Sequence, residues 1–260
     1  MKKKILFFDV DSTLYSHKSN SIPKSAIEAI KIAKANGHII VLATGRSKKL
    51  TDLLDIFKYI DFDYFVTING TLVLDKNDNI IFSLPCNKGA IDNVLNLVDK
   101  HNLNLCFINK DDYYLYKDED KRSHLGYDPL HIPIPKKLAY TGEDIYQMNL
   151  FCEDEYVKEF IDLTGNYLSY SKLDNYGYDV YAKDQTKATG IMHLINYLEI
   201  DKKDTFAFGD GHNDKEMIEF CEVGVAMGNA IEKVKNASNY ITDDIDNDGI
   251  YKAMKYFKLI

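Results

Sequence analysis

Four aspartates in two short motifs are the residues of this chain best suited to chemistry. Asp9-Val10-Asp11-Ser12-Thr13 follows the hydrophobic run 5–8, and Gly209-Asp210-Gly211-His212-Asn213-Asp214 follows the run 205–208. Each run reads as a buried parallel strand whose acids emerge at its C-terminal end, where open α/β sheets hold their ligands. If the two strands are neighbours, four carboxylates converge. Such a cluster repels itself unless protons or a cation neutralise it. The arrangement therefore predicts a hard divalent metal and an anionic substrate.

The residue types fit phosphoryl chemistry. An aspartate can attack phosphorus and form an aspartyl-phosphate, which splits one hard substitution into two easier ones. A second acid nearby can protonate the leaving oxygen and then deprotonate water. Asp210 and Asp214 add hard oxygen ligands, and Mg²⁺ favours one or two carboxylates together with water and phosphate oxygens. Thr44, followed by Gly45 at the end of a second predicted strand, can offer hydroxyl and backbone donors to a phosphate. Lys187, at a predicted helix start, can hold a fixed positive charge there.

The elements that must position these groups follow from periodicity. Ser21-Ile22-Pro23 starts a helix that ends at Asn36-Gly37, and residues 39–42 form the second strand. Leu53, Ile56, Phe57 and Ile60 recur at helical spacing and predict an amphipathic helix, and residues 64–67 form a third strand. This β-α-β-α-β order predicts a right-handed parallel sheet. The pattern then changes. Asn69-Gly70 marks a turn, 71–74 and 80–82 read as a hairpin, and strands come in pairs between helices up to Ala182. Residues 117–142, with Pro129, Pro133 and Pro135, read as a long loop. Parallel-type alternation resumes with the stripe Ile191, Leu194, Ile195 and Leu198. The expected organisation is a discontinuous α/β core, 1–80 and 184–260, with an inserted α+β domain at 81–183.

Composition excludes several classes. The 260 residues, 45% hydrophobic and 28% charged, suffice for one large or two modest domains. A net charge of −8 argues against a general nucleic-acid surface. Lys2-Lys3-Lys4 precedes too short an apolar run for a signal peptide or a membrane span. Cys86, Cys106, Cys152 and Cys221 are scattered, which favours free thiols in a reducing cytoplasm over zinc or disulfides. The segment 244–249 imitates the start of an EF-hand loop. Lys255 stands where the loop's final glutamate is required, so the segment is read as a solvated acidic loop capping the last helix. His101, His124, His131 and His193 show no ligand spacing. The oligomeric state is not legible.

In motif and order the chain resembles the haloacid dehalogenase (HAD) superfamily of phosphotransferases: DxDST, a strand-end Thr-Gly-Arg, Lys187 and GDGHND, spanning nearly the whole chain. The insert resembles the type 2 cap of the Cof-type sugar- and cofactor-phosphate phosphatases. Asn69-Gly70 and Ala226-Met227-Gly228-Asn229-Ala230 match as well. The resemblance implies a Rossmann-like core and a Mg²⁺-dependent phosphatase acting on a small phosphorylated metabolite. It implies Asp9 as nucleophile and metal ligand, with Asp11 as general acid/base and a metal ligand through its carbonyl. Asp210 would be a metal ligand, and Asp214 a direct or water-mediated one. Thr44, Gly45 and Lys187 would hold phosphate, and Asn213 would orient the phosphate or Lys187. Ser12 replaces the usual glycine, Ala188 replaces a frequent glycine with Gly190 close by, and Lys183 is a rival for Lys187. Arg46 is read as structural or as a contact to the insert.

The insert is the expected source of specificity, since a cap that closes excludes water and reads the leaving group. Candidate readers are Asn69 in the core and Arg122, His124, Tyr178 and Tyr181 in the insert. Two alternatives remain open at this stage. One is a phosphohexomutase-type phosphotransferase with similar acids and a similar cap. The other is a non-catalytic receiver-like phosphate-binding module, which the length, the insert and Asp11 disfavour.

Overall fold

The computed structural model describes residues 2–127, 132–173 and 177–260. Pro129 and His131 lie outside the described residues. In chain order the first segment holds β1 (Ile5–Phe8), α1 (Lys24–Ala35), β2 (Ile39–Ala43), α2 (Lys48–Asp52), β3 (Tyr64–Thr67), β4 (Leu72–Asp75) and β5 (Ile80–Ser83). The middle holds α3 (Lys88–Lys100), β6 (Asn104–Ile108), β7 (Tyr113–Leu115), α4 (Lys121–Tyr127), β8 (Gln147–Phe151), α5 (Asp154–Thr164), β9 (Leu168–Leu173) and β10 (Gly177–Ala182). The last segment holds α6 (Lys187–Tyr197), β11 (Thr205–Gly209), α7 (Lys215–Phe220), β12 (Val223–Ala226), α8 (Glu232–Ala237), β13 (Tyr240–Ile241) and α9 (Gly249–Tyr256).

The chain divides into two compact units, Met1–Ser83 with Thr186–Ile260, and Leu84–Gln185. The first join falls after β5 and not at residue 80, because β5 hydrogen-bonds to β4. The first unit is built on an eight-stranded sheet in the order β13-β12-β11-β1-β2-β3-β4-β5. It is parallel from β13 to β3 and closes with an antiparallel hairpin. Every residue of β1, β2 and β11 is buried, as expected for central parallel strands covered on both faces. β1 lies between β11 and β2, with Phe8 opposite both Phe208 and Leu42. The three strands therefore end side by side.

The second unit is a five-stranded antiparallel sheet, β7-β6-β8-β10-β9, with α3 and α5 on one face. That face carries Leu105, Phe107, Met148, Leu150 and Val180 into a core with Ile91, Val94 and Phe160. The four cysteines are free and buried.

Two expected elements differ. The helix over Leu53–Ile60 is not continuous. Ser47 caps α2 by accepting from the Leu50 amide at 3.2 Å, and Asp55 at φ 56° breaks the chain direction. Only a single turn, Ile56–Lys58, follows, and Leu53 is 46% exposed. Helical spacing thus joined Ile56, Phe57 and Ile60, which pack after the break, to Leu53, which does not. In the segment expected to be a loop, α4 is a helix. Its start is fixed by a reciprocal cap, in which the Ser123 amide donates to Asp120 Oδ1 at 2.9 Å and the Asp120 amide to Ser123 Oγ at 3.0 Å.

Candidate active site

Asp9, Thr44 and Asp210 each stand one residue past a strand end, on β1, β2 and β11 in turn. The Asp9 amide donates to the Phe208 carbonyl at 3.0 Å and the Thr44 amide to Val66 at 2.9 Å, so both residues leave in ladder register. Carboxylate oxygens of Asp9, Asp210 and Asp214 lie within 4.8 Å of one another. Lys187 reaches them from the first turn of α6, where Thr186 and Thr189 form a reciprocal cap. Its Nζ donates to Asp9 Oδ1 at 2.5 Å and to Asp214 Oδ1 at 2.6 Å, and the side chain is 0% exposed. Lys183, the rival, is exposed.

Two glycines let α6 come this close. Gly70 has φ 87°, and a Cβ there would stand 2.1 Å from the Thr186 carbonyl oxygen. A Cβ on Gly190 would meet Gly70 Cα at 2.8 Å. The loop before Gly70 is also strained. Ile68 and Asn69 have φ 51° and 50°, a region costly for a β-branched residue. The Thr44–Arg46 segment holds that strain in place, since the Ile68 amide donates to the Arg46 carbonyl at 3.1 Å and the Asn69 amide to Thr44 at 3.2 Å.

The electrostatics follow from three carboxylates around one ammonium. Burial and then Asp214 push the Asp9 carboxyl well above its usual range, against the pull of Lys187. Asp210 is pushed up to about 7 by burial and by Asp214. Burial alone would lower Lys187, but Asp214 and Asp9 outweigh it and keep the ammonium charged. The excess of negative charge is what a hard divalent cation would neutralise, and oxygen-only donors suit Mg²⁺. Asp214 is already engaged through both oxygens, because its Oδ2 accepts the Asp210 and Gly211 amides at 2.9 Å.

The Asp11 carboxylate does not join this cluster. Arg46 Nε and Nη2 grip its two oxygens at 2.8 Å each, and His17 Nε2 stands 2.8 Å from Oδ1. Burial alone would raise Asp11, but the hydrogen bonds from His17 and Arg46 hold it well below the usual carboxylate range. Arg46 is therefore the partner of the second motif aspartate. Ser12 adopts φ 59°, the left-handed conformation for which glycine would be the easier choice. Asn229 secures this turn by donating to the Ser12 carbonyl at 2.8 Å. The acidic loop helps as well. Ser16 donates to Asp246 at 2.7 Å, while Asp248 makes no side-chain cap to α9.

Asn69 is buried and accepts from Asn213 Nδ2 at 3.0 Å, beside the position a Gly45 Cβ would take. Thr44, Gly45, Asn69 and Asn213 are thus brought together. The candidate readers of the second unit each have partners within that unit. Tyr178 is turned into the apolar core and donates to Asp154 at 2.7 Å. Tyr181 lies on the opposite face, bonded to Ser171 at 2.7 Å. Arg122 pairs with Glu153 at 3.1 Å, and His124 lies 3.7 Å from Glu119. Sequence reasoning missed Thr13, whose hydroxyl donates to Asp210 Oδ1 at 2.9 Å, and His17. Thr13 sits inside the first motif and could have been noticed, whereas nothing in the spacing marks His17.

Residues 6–254 match the family described as haloacid dehalogenase-like hydrolase, and the chain belongs to it. "Putative phosphatase YkrA" of Bacillus subtilis (strain 168) is 33% identical over 263 residues, covering 100% of both chains. The 5-amino-6-(5-phospho-D-ribitylamino)uracil phosphatase YitU of the same organism is 24% identical over 272 residues, covering 99% of both. Among solved structures, the HAD subclass IIB sugar phosphatase BT4131 superposes with a TM-score of 0.84 at 32% identity, covering 99% of this chain and 100% of its own. The chain is a phosphatase of this family. Among the described residues, no helix is long and apolar enough to cross a membrane.

Proposed function

We propose that the chain is a Mg²⁺-dependent phosphomonoesterase that hydrolyses a small phosphorylated metabolite through an aspartyl-phosphate on Asp9. The observation that carries this reading is the buried Lys187 ammonium bridging Asp9 and Asp214, with Asp210 in reach, where neighbouring strands end. Asp9 and Asp210 would hold the cation, with the Asp11 carbonyl beside them, and Asp214 would act through water because both its oxygens are engaged. Bound there, Mg²⁺ supplies neutralisation of the phosphate and of the surplus carboxylate charge.

An Asp9 oxygen attacks phosphorus as the ester P–O bond breaks, and the leaving oxygen takes a proton from Asp11. Water then attacks the phosphorus of the acyl phosphate and gives its proton to Asp11, which releases phosphate and restores Asp9. The grip of Arg46 and His17 keeps Asp11 ionised, which suits the second half. The first half requires Asp11 to leave that grip and carry a proton. Lys187 and the Thr44 hydroxyl stabilise the equatorial oxygens. Four buried free thiols suit a reducing cytoplasm.

The test is a panel of phosphate esters with Mg²⁺, with Asp9→Asn as control and trapping of phosphorylated Asp9. No turnover of any ester would sink the reading. Transfer of the phosphoryl group to sugar, faster than to water, would favour the mutase alternative.

A further inference from the structure

Three consecutive residues after β3 wind to the left, since Ile68, Asn69 and Gly70 have φ of 51°, 50° and 87°. Glycine takes this conformation freely, asparagine tolerates it and a β-branched residue resists it. The Thr71 hydroxyl donates to the Ile68 carbonyl at 2.8 Å and adds to the two amide bonds that tie the turn to Thr44 and Arg46. What the turn achieves is a direction for one side chain. Asn69 is only 6% exposed. The only side-chain hydrogen bond it makes among the described residues is the one its Oδ1 accepts from Asn213 Nδ2 at 3.0 Å. A glycine at 69 would form the same turn with less strain, and packing alone would not call for a buried amide there.

The two amides meet beside Gly45. A Cβ on Gly45 would stand 3.1 Å from Asn69 Oδ1 and 3.2 Å from Asn213 Nδ2, so the missing side chain leaves them their room. Next to Gly45, Thr44 Oγ1 accepts from the Arg46 amide at 3.0 Å. That bond occupies a lone pair and leaves the hydroxyl hydrogen free to donate. The Asn213 nitrogen carries two hydrogens in one plane. Asn69 takes one of them, and the second has no acceptor among the described residues.

We propose that Asn69 is a positioning residue for the phosphate. It locks the Asn213 amide so that the second N–H meets an oxygen of the transferred phosphoryl group, beside the Thr44 hydroxyl. This takes Asn69 out of the set that reads the leaving group. The proposal rests on reading the chain as a phosphatase. A donor held in advance needs no reorientation as charge develops on the phosphoryl oxygens. Without the Asn69 acceptor the Asn213 amide is free to turn, and the alignment is lost.

The experiment measures kcat/KM for phenyl phosphate and glycerol phosphate with Mg²⁺, and inhibition by inorganic phosphate. The proteins are the wild type, Asn69→Gly, Asn213→Ala and the double variant. Glycine keeps the left-handed turn and removes only the amide, so Asn69→Gly should melt no lower than wild type. It should lower kcat/KM about tenfold or more, by the same factor on both esters, and weaken inhibition by phosphate. In the Asn213→Ala background the same change should cost less than about twofold, because Asn69 acts through Asn213. A loss that persists in that background overturns the proposal, since Asn69 then serves the fold or touches substrate itself. An unchanged kcat/KM in Asn69→Gly overturns it as well, and so does a changed ratio between the esters, which returns Asn69 to the leaving group. Each of these results leaves the phosphatase reading intact. Should the wild type hydrolyse neither these esters nor any other, the phosphatase reading fails, and calorimetric binding of inorganic phosphate with Mg²⁺ decides the inference. Weaker binding in Asn69→Gly, with no further loss between Asn213→Ala and the double variant, supports it. Equal binding, or none by the wild type, rejects it.

Discussion

Two carboxylate sites of the molecule are compensated differently. In the first unit Asp9, Asp210 and Asp214 surround the Lys187 ammonium. In the second, Asp179 is held by two neutral amides, Gln147 and Asn149. The two amides satisfy one oxygen of the Asp179 carboxylate without cancelling its charge, whereas the Lys187 ammonium cancels one charge and leaves two in surplus. The first arrangement is poised for a cation and for nucleophilic attack. The second holds its carboxylate without a counter-charge. Buried ion pairs rarely stabilise a fold better than apolar packing would, so the first cluster answers to chemistry more than to stability.

The largest expected effect tests that last point. Asp9→Asn should lower turnover by about 10⁴-fold or more, with a denaturant midpoint in the absence of Mg²⁺ no lower than wild type. A clearly lower midpoint would mean that the cluster is kept for stability. Lys187→Met should cost turnover about 10²–10³-fold. It should also destabilise the fold by about 3–5 kcal/mol, since it strands buried charge. Urea melts with and without Mg²⁺ would separate the two, as bound cation should restore part of the stability and little of the rate. Gly70→Ala tests whether the close approach of α6 matters, and turnover should fall by up to about 10²-fold as Lys187 shifts.

The smallest effect belongs to the second cluster. Burial pushes the Asp179 carboxyl up to about 7 in the folded chain, against the hydrogen bond from Asn149, so the folded form binds the extra proton between its unfolded value and that one. Stability from this group is therefore highest at low pH and declines as pH rises from about 4 to about 7. Asp179→Asn removes the decline. The stability of the variant relative to wild type should rise by on the order of 1 kcal/mol between about pH 5 and about pH 8. A flat difference in thermal melts would place Asp179 in a more solvated setting than its amide partners suggest.

The core strands were legible because their runs are wholly apolar and end in acids or in Thr-Gly, signals that need only local sequence. Lys187 was legible over Lys183 for the same reason, since it opens a helical stripe. The break at Asp55 was not, because Leu53, Ile56, Phe57 and Ile60 keep helical spacing while a left-handed residue interrupts the helix. The helix α4 was hidden among prolines, and its Asp120–Ser123 cap was the overlooked sign. The embrace of Asp11 joins His17, six residues on, with Arg46, 35 residues on past the next strand. No periodicity encodes it.

By itself, then, the sequence marked the candidate reacting groups and the strands that carry them, since residue type and hydrophobic pattern are local properties. Tertiary structure alone decided which charges meet. The approach of α6 over Gly70 delivers Lys187 between Asp9 and Asp214, and the strained turn at Ile68 braces Thr44. Pairing of β8 with β10 sets Gln147 and Asn149 against Asp179. Each outcome depends on separations of a few ångströms between segments distant in the chain, where Coulomb energy and hydrogen bonding change most steeply.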